Sequence, residues 1–452
     1  MRNIFCLDYS QTASPNGKGD NIRFIIYCMF ASFITYMSMY AFRKPLSVGT
    51  FTNMSYCGID YKIILIMSQV FGYMISKLIG INFVSQLKPC YRIKIILLFI
   101  GIAWLSLFCF AFIPRPYNIL FIFINGLPLG MIWGIVFSFL EGRKCTELLG
   151  AGMTSSLIVA SGITKGIGKF LIEQYQVSEF WMPFLVGLLF VPFLLFGVWL
   201  LSKIPSPTLE DIALRAERVP MTRADRKIFL CSFTAGLFLT VTVYTTLSLF
   251  RDFRDNFSVE IWEQLGYTQS SLLLATTEIP SALAILLLTT LMIQIKNNRI
   301  AFYGNILIVL SGSLLMVVVT ILFVLGKLHP ILWMILTGFC LYIAYTTYQI
   351  MFFERWIALF RCRCNVGFLI CIADSMGYMG SIGILFYKNF FSHHLNQLSF
   401  LINLAYISSG IIILFSLISF GYFLYKEHES VTKPVNNILA PNKSTEILQK
   451  LT

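Results

Sequence analysis

The stretch that decides the fold is 63–87, which reads IILIMSQVFGYMISKLIGINFVSQL. A run of this length exceeds the ~20 apolar residues that are needed to cross a hydrocarbon core about 30 Å thick. One lysine, Lys77, lies inside the run, roughly 20 Å from one end and roughly 15 Å from the other at about 1.5 Å per residue. Only residues near helix ends can extend their charge into the headgroups. We therefore expect Lys77 to face a wet cavity between helices.

The composition of the whole chain is that of a polytopic membrane protein. Of its 452 residues, 57% are hydrophobic and 12% are charged, whereas soluble domains are about 25% charged. The formal net charge of +13 does not indicate nucleic-acid binding, because excess Lys and Arg in membrane proteins mark cytoplasmic loops. The eleven cysteines are scattered, mostly within apolar runs, which predicts neither a disulfide framework nor a metal site. No cofactor is expected.

Twelve apolar runs are long enough to span a bilayer. Their approximate bounds are 22–44, 63–87, 93–113, 117–140, 151–173, 180–202, 228–250, 270–294, 300–325, 330–354, 365–388 and 398–425. Basic residues concentrate in the even-numbered connections and at both termini, so the positive-inside rule predicts cytoplasmic termini. The pattern predicts an all-α polytopic membrane protein with twelve transmembrane helices in the 6+6 pseudo-symmetric major facilitator fold, with the substrate site between the halves.

The longest internal polar segment separates the two sets of six runs. We therefore expect a cytoplasmic N-terminal tail, an N-terminal six-helix bundle, a central cytoplasmic linker, a C-terminal six-helix bundle and a cytoplasmic C-terminal tail. Their predicted bounds are 1–21, 22–202, 203–227, 228–425 and 426–452. The protein is expected to be a monomer in the cell membrane, with a bacterial inner membrane as the favoured location.

Three more basic residues, Arg43, Lys165 and Arg251, lie inside or beside apolar runs. Each Arg or Lys at a helix centre costs about 2.5–3.5 kcal/mol on insertion scales, so together with Lys77 they cost roughly 10 kcal/mol. We therefore expect the four residues to line a wet cavity between helices. A basic cavity attracts an anion.

Tyrosines accompany two of these cations. Tyr36 and Tyr40 share a helix face with Arg43, and Tyr73 lies one turn from Lys77. An Arg fork binds oxyanions in bidentate fashion, and Tyr hydroxyls can complete the shell of donors. This combination predicts an oxyanion site.

Each basic residue also has a structural interpretation. Arg43 lies near the outer end of the first run and can extend its charge outward to the membrane interface. Lys77 can pair with a buried acid such as Glu141, and Lys165 can pair with an acid of a neighbouring helix. The charged run 250–256 can be a solvated, self-paired outer loop.

Two acids, Glu278 and Asp374, lie in the middle of apolar runs. A buried carboxylate either pairs with a cation or takes up a proton. Both residues are therefore candidates for proton coupling or for ion pairs with the basic residues.

Two of these stretches resemble a known family. The stretch 36–43, YMSMYAFR, resembles the first helix of the organophosphate:phosphate antiporters, a major facilitator family that includes glycerol-3-phosphate and hexose-phosphate transporters. In that family an Arg and two Tyr at these spacings face the substrate phosphate. The stretch 72–80, GYMISKLIG, resembles the second helix of the family, whose Tyr and Lys line the same site. The resemblance implies these roles for the matching residues here.

The second half carries weaker matches. Arg251 resembles the seventh-helix Arg that completes the phosphate clamp, with Arg254 as a competitor. The stretch 377–380, GYMG, resembles a Gly-Tyr-x-Gly motif of the eleventh helix, which implies that Tyr378 faces the cavity. One departure stands out: the fifth helix of the family carries a His near the substrate, and here Lys165 is the candidate for its place.

The combined expectation is a secondary active transporter of a small organic anion, an organophosphate exchanged for inorganic phosphate by alternating access. Arg43 and Arg251 would clamp the anion from opposite halves, and Lys77 would neutralise its second charge. The hydrogen-bonding walls would be Tyr36, Tyr40, Tyr73 and Tyr378. The expected partners are this small anionic substrate and the lipid bilayer.

Two alternatives stay open. The first is a proton-coupled carboxylate carrier that uses Asp374 or Glu278. The second is a transporter-like membrane sensor that binds a phosphorylated ligand without moving it. ATP-driven transport is not expected, because the sequence contains no phosphate-binding Gly loop followed by Lys-Ser/Thr. An enzyme is not expected either, because no Ser/His/Asp or Cys/His constellation is recognisable.

Overall fold

The computed structural model describes residues 18–140, 146–205, 223–268, 271–362, 364, 366–392 and 395–432. The predictions for Glu141, for most of the linker 203–227 and for most of both tails therefore concern residues outside the described ranges. Within them, twelve helical segments are long and apolar enough to cross a membrane. The predicted all-α, twelve-span architecture is confirmed.

The N-terminal half contains six long helices. They are α1 (Lys18–Tyr40), α2 (Tyr61–Gln86), α3 (Pro89–Phe112), α4 (Ile119–Phe137), α5 (Thr146–Tyr175) and α6 (Met182–Ser202). A short 3-10 helix (Lys44–Val48) and an antiparallel pair of two-residue strands, β1 (Ser55–Tyr56) and β2 (Ile59–Asp60), connect α1 to α2.

The C-terminal half contains the other six spans, two of which are interrupted. Its helices are α7 (Arg223–Asn256), α8 (Ser258–Gln264), α9 (Ser271–Thr276), α10 (Glu278–Ile293), α11 (Asn298–Val324), α12 (Pro330–Thr347), α13 (Phe353–Phe360), α14 (Val366–Phe390) and α15 (Gln397–Thr432). Helices α9 and α10 form the eighth span together, and a π-helical turn (Tyr348–Phe352) joins α12 to α13 in the tenth.

Local sequence explains where several helices begin. Pro89, Pro183 and Pro330 lie in the first turns of α3, α6 and α12, where the missing N–H of proline leaves no partner unsatisfied. Asn297 caps α11 by accepting hydrogen bonds from two backbone N–H groups of the first turn. In each of these helices the backbone N–H and C=O groups pair within the helix, as the bilayer requires.

Two of the helix ends that differ from the prediction concern the charged residues. Helix α1 ends at Tyr40, so Arg43 lies in the turn that follows it. Helix α7 continues to Asn256, and the charged side chains of the run 250–256 are mostly buried. The interpretation of this run as a solvated loop is therefore wrong. Arg251 and Asp252 of the run pair with each other, whereas Arg254 and Asp255 pair with residues outside α7.

Close backbone contact fixes α2 against α4. A Cβ atom at Gly126 would lie 2.2 Å from the carbonyl oxygen of Gln69, and one at Gly72 would lie 2.3 Å from that of Phe123. Both distances are shorter than any van der Waals contact, so only glycine fits at either position. Small residues permit this kind of close approach between membrane helices.

Ion pairs join the two halves at one end of the bundle. We call the end where α1 begins the terminal end, and the opposite end, where α1 ends and α2 begins, the distal end. At the distal end, Lys62 of α2 pairs with Glu260 of α8, and Lys169 of α5 pairs with Glu263 at 2.8 Å. Burial raises the pKa of the Glu260 carboxyl, and the ammonium of Lys62 opposes this shift.

A second contact between the halves lies deeper, around Asp255 of α7. Its carboxylate accepts a hydrogen bond from Lys165 Nζ of α5 at 2.5 Å, and its other oxygen pairs with Lys44. Beside this contact α5 packs on α9, where a Cβ atom at Gly166 would lie 2.6 Å from the carbonyl oxygen of Ser271. Together these contacts hold the halves against each other on the distal side.

We expect Gly126→Leu to disrupt the packing of α2 on α4, because its side chain would overlap the backbone of Gln69. Extra side-chain atoms in a well-packed core typically destabilise a protein by about 1–3 kcal/mol, and we expect the loss of stability here to be larger. Gly101→Leu on α3 is the matched control, since a Cβ atom there meets nothing within 4 Å. The measurement is the thermal melting midpoint in detergent, and equal midpoints for the two variants would contradict the packing.

We expect Asp255→Asn to destabilise the protein, because it leaves Lys44 and Lys165 buried without their shared carboxylate. Breaking a buried ion pair by removing one partner costs about 3–5 kcal/mol. Glu429→Gln is the control, because its pair with Lys426 lies nearer the surface, where such pairs contribute about 0–1 kcal/mol. A melting midpoint of Asp255→Asn no lower than that of Glu429→Gln would show that the contact does not hold the halves together.

Candidate functional site

A cavity lies between the two halves. It has an empty volume of about 640 Å³, counting its mouth. Its walls come from α1, α2, α4 and α5 on one side and from α7, α12 and α14 on the other. The lining residues are Tyr36, Tyr40, Arg43, Lys44, Tyr73, Lys77, Trp133, Leu157, Ser161, Arg251, Asp252, Asp255, Tyr342, Tyr345, Gln349, Ile370, Asp374 and Tyr378. Eight of the ten predicted site residues lie among them, whereas Lys165 and Glu278 do not.

Among the described residues that line the cavity, Arg43 is the cation that forms no ion pair. Only 7% of the residue is exposed, and its guanidinium carbon lies 3.9 Å from the ring centre of Tyr73. Its Nε is buried without a hydrogen-bond partner. Among the described carboxylates, none is within ion-pair distance of it. The interpretation of Arg43 as an interfacial residue that extends outward is therefore wrong.

Two amide side chains hold the turn that carries Arg43. Asn125 of α4 donates hydrogen bonds to the carbonyl oxygens of Phe42, at 3.0 Å, and Ala103, at 2.9 Å. Gln69 of α2 donates to Asn125 Oδ1 at 2.8 Å and to the carbonyl oxygen of Arg43 at 3.4 Å. Because the glycine contact brings α2 close to α4, both amides reach the turn and fix where the guanidinium points.

Lys77 forms its ion pair across the cavity. Its Nζ lies 3.1 Å from Asp374 Oδ2 of α14, and 5.4 Å from a ring centre of Trp133. Lys77 thus pairs with a buried acid, and the described partner is Asp374 of the opposite half. It still lines the cavity, so the pair is part of the site.

Arg251 faces the cavity from the C-terminal half. Its Nη2 lies 2.8 Å from Asp252 Oδ1, and its guanidinium carbon lies 4.3 Å from the ring centre of Tyr345. Asp252 is held in turn by the Ser381 hydroxyl, which donates to Oδ2 at 2.7 Å. Arg251 therefore enters the cavity already paired, opposite Arg43.

Arg254 and Glu278 form a separate pair outside the cavity lining. Arg254 Nη1 lies 2.9 Å from Glu278 Oε1, and its Nη2 donates to the carbonyl oxygen of Met334 at 2.8 Å. This pair ties α7 to α10 and α12 within one half. Of the two candidates in the run, Arg251 is the one that faces the cavity, and Glu278 acts as a structural partner.

Lys165 lies just behind the cavity wall. Its Nζ donates to Asp255 Oδ1 at 2.5 Å, and to the backbone oxygen of Asp255 and the hydroxyl of Ser258, each at 3.0 Å. All of these acceptors belong to the opposite half. The structural interpretation of Lys165, pairing with an acid, is the one that the contacts match.

The sequence interpretation missed a polar network on the C-terminal half. Tyr244 donates to Asp374 Oδ1 at 2.5 Å and lies 3.0 Å from the Tyr345 hydroxyl. Gln349 donates to the hydroxyls of Tyr345, at 2.8 Å, and Tyr244, at 3.1 Å. Tyr342, Tyr345 and Gln349 are spaced so that they share one helix face, and this spacing is the signal that could have indicated Tyr345 and Gln349 as cavity residues.

The cavity carries more positive than negative charge. Four of its lining residues are Lys or Arg and three are Asp, and Lys165 adds a further cation because it shares Asp255 with Lys44. Two positive charges thus lack a counter-charge among the described residues around the cavity. No group of His, Cys, Asp or Glu in the described ranges is arranged to bind a metal.

Comparison with known proteins supports the fold. The crystal structure of a mutant of the nucleoside transporter NupG matches with a TM-score of 0.57 at 14% identity, over 88% of this chain and 100% of that chain. At this identity the similarity shows the fold alone. It confirms the predicted fold, a twelve-helix fold of the major facilitator type. Among curated proteins, no sequence matches this chain. A model described as a family of unknown function, DUF5690, matches residues 45–426, so the chain belongs to that family.

Proposed function

We propose that this protein is a secondary active transporter of a small organic anion and that Arg43 recognises the anion. The observation that carries this proposal is the buried guanidinium of Arg43, which faces the cavity between the halves and has no ion-pair partner in the part of the chain that the structure describes. A buried charge of this kind is unfavourable unless a counter-charge arrives. An anionic cargo supplies it.

The charge of the cavity favours a dianionic head group. The described lining residues and Lys165 together carry two more positive than negative charges, and a phosphate monoester carries about −1.5 to −2 charges at neutral pH. The Arg fork matches the geometry of phosphate oxygens in bidentate fashion. We therefore propose an organophosphate, exchanged for inorganic phosphate, as the specific cargo, in line with the resemblance of the stretches 36–43 and 72–80.

The position of the cations supports alternating access. Arg43 and Lys77 belong to the N-terminal half and Arg251 belongs to the C-terminal half. An anion between them would attract both halves and so favour closure around the cargo. The hydroxyls of Tyr36, Tyr40, Tyr73 and Tyr378 would complete its hydrogen bonds. The transporter fold supports this function rather than an enzymatic one.

A proton-coupled carboxylate carrier is the second candidate. Asp374 favours it, because its carboxylate lines the cavity and contacts Lys77. Glu278 does not fit this role, because it pairs with Arg254 away from the cavity. A membrane sensor is the remaining alternative, and binding of a ligand without flux would identify it.

We also propose the location and orientation that the basic residues indicate. The protein would act as a monomer in a bacterial inner membrane, with both termini in the cytoplasm. The distal end, with its lysine–glutamate pairs, would then face the periplasm.

We expect Arg43→Ala to abolish transport, measured as uptake of labelled phosphate and organophosphates into phosphate-loaded proteoliposomes. Hydrogen bonds to charged groups contribute about 1.5–3 kcal/mol, so uptake should fall by at least about tenfold. Arg43→Lys should retain part of the activity, because the ammonium keeps the charge and loses the fork.

Arg115→Gln is the control for this experiment. It removes a positive charge from an exposed residue of the distal surface, whose guanidinium carbon lies 5.9 Å from the centre of the Tyr61 ring. Its uptake should equal that of the unchanged protein. Normal uptake by folded Arg43→Ala would rule out Arg43 as the recognition group.

A further inference from the structure

The carboxylate of Asp374 is shared between the two halves. Its Oδ2 lies 3.1 Å from Lys77 Nζ of α2, and its Oδ1 accepts a hydrogen bond from Tyr244 of α7 at 2.5 Å. Only 4% of Asp374 is exposed. The carboxylate therefore occupies the space in front of Lys77 that an anionic cargo would need.

The partners of Asp374 within its own half are independent of Lys77. Tyr244 is held by Tyr345, at 3.0 Å, and by Gln349, at 3.1 Å. A carboxylate that loses Lys77 would therefore keep its hydrogen bond on Oδ1. Lys77 can exchange one oxyanion for another while Asp374 stays anchored.

We propose that Asp374 is an internal counter-anion that replaces the cargo in front of Lys77 and so lets the empty protein change between its two open states. This inference rests on the proposed transport function. In the empty cavity the Lys77–Asp374 contact crosses from α2 to α14, as a bound anion would. The closed state then forms without cargo, because Lys77 is not left as an uncompensated charge.

Arg43 differs from Lys77 and Arg251 in how its positive charge is compensated. Among the described residues no carboxylate forms an ion pair with Arg43, so it would depend on the cargo for its counter-charge, whereas Lys77 and Arg251 have Asp374 and Asp252. A carrier whose cations were all uncompensated would be confined to exchange, because its empty form would not close. The internal carboxylates beside Lys77 and Arg251 would let this carrier also return empty, so that net transport would occur beside the proposed exchange.

The experiment measures the motion of the empty protein directly. Fluorescent dyes are placed at Tyr56 and Phe391 through non-natural amino acids. These are exposed residues of opposite halves at the distal end, near the contact of the Asp60 N–H with Asn389 Oδ1 at 3.2 Å. Single-molecule energy transfer then reports opening and closing of this end in phosphate-free buffer.

We expect the unchanged protein to interconvert without ligand and Asp374→Asn to interconvert at least tenfold more slowly. Removing both charges, in Lys77→Gln with Asp374→Asn, should restore the rate, because no uncompensated charge remains. An unchanged rate in Asp374→Asn would overturn the proposal. A double variant as slow as Asp374→Asn would also overturn it, since the defect would then be structural.

A flux measurement separates this inference from the proposed function. With inorganic phosphate as the probe, Asp374→Asn should lose net uptake at least tenfold more than it loses phosphate-for-phosphate exchange. Equal losses in both modes would overturn the counter-anion role. The dye experiment needs no cargo, so a failure of phosphate transport in the unchanged protein would refute the proposed substrate and leave the test of Asp374 intact.

Discussion

A positive charge buried without a counter-charge is the constraint on which this site depends. The guanidinium of Arg43 sits over the ring of Tyr73 in a turn that Gln69 and Asn125 hold. The glycine contact between α2 and α4 makes these bonds possible, because it brings both amides to the turn. The packing of the N-terminal half thus maintains an unfavourable charge at a fixed place, and the anion that we propose as cargo would relieve it.

At the interface between the two halves, the paired positive charges lie on one half and the paired negative charges lie on the other. In the five described ion pairs that cross it, every cation belongs to the N-terminal half and every carboxylate to the C-terminal half. Opening the distal end would separate a basic surface from an acidic one. In the proposed alternating access such pairs would be broken and remade, so the balance between the two states would depend on what replaces each carboxylate. An incoming anion is the natural replacement on the basic side.

Much of this arrangement is predictable from the sequence, and the exceptions share one cause. Arg43, Lys77 and Arg251 are conspicuous because a charge in or beside an apolar run is costly in a membrane unless it faces a polar cavity or a counter-charge. Their partners are not predictable, because pairing depends on which helices are neighbours. The run 250–256 is also open to interpretation as a loop, because hydropathy falls after residue 250, whereas in the structure α7 continues to Asn256 and Asp255 pairs with Lys165 of α5 and with Lys44. Uncharged groups such as Asn125 give no signal, because their role arises only from close packing.

The most direct test of the account is ligand binding by the purified protein, followed through its thermal stability in detergent. The panel would comprise inorganic phosphate, glycerol and sugar phosphates, nucleotides, and di- and tricarboxylates. A ligand that binds only the folded protein at a hundredfold excess over its Kd adds about 2.7 kcal/mol of stability. The account predicts stabilisation by phosphate compounds that disappears in Arg43→Ala. Stabilisation that persists in Arg43→Ala, or none with any anion of the panel, would contradict it.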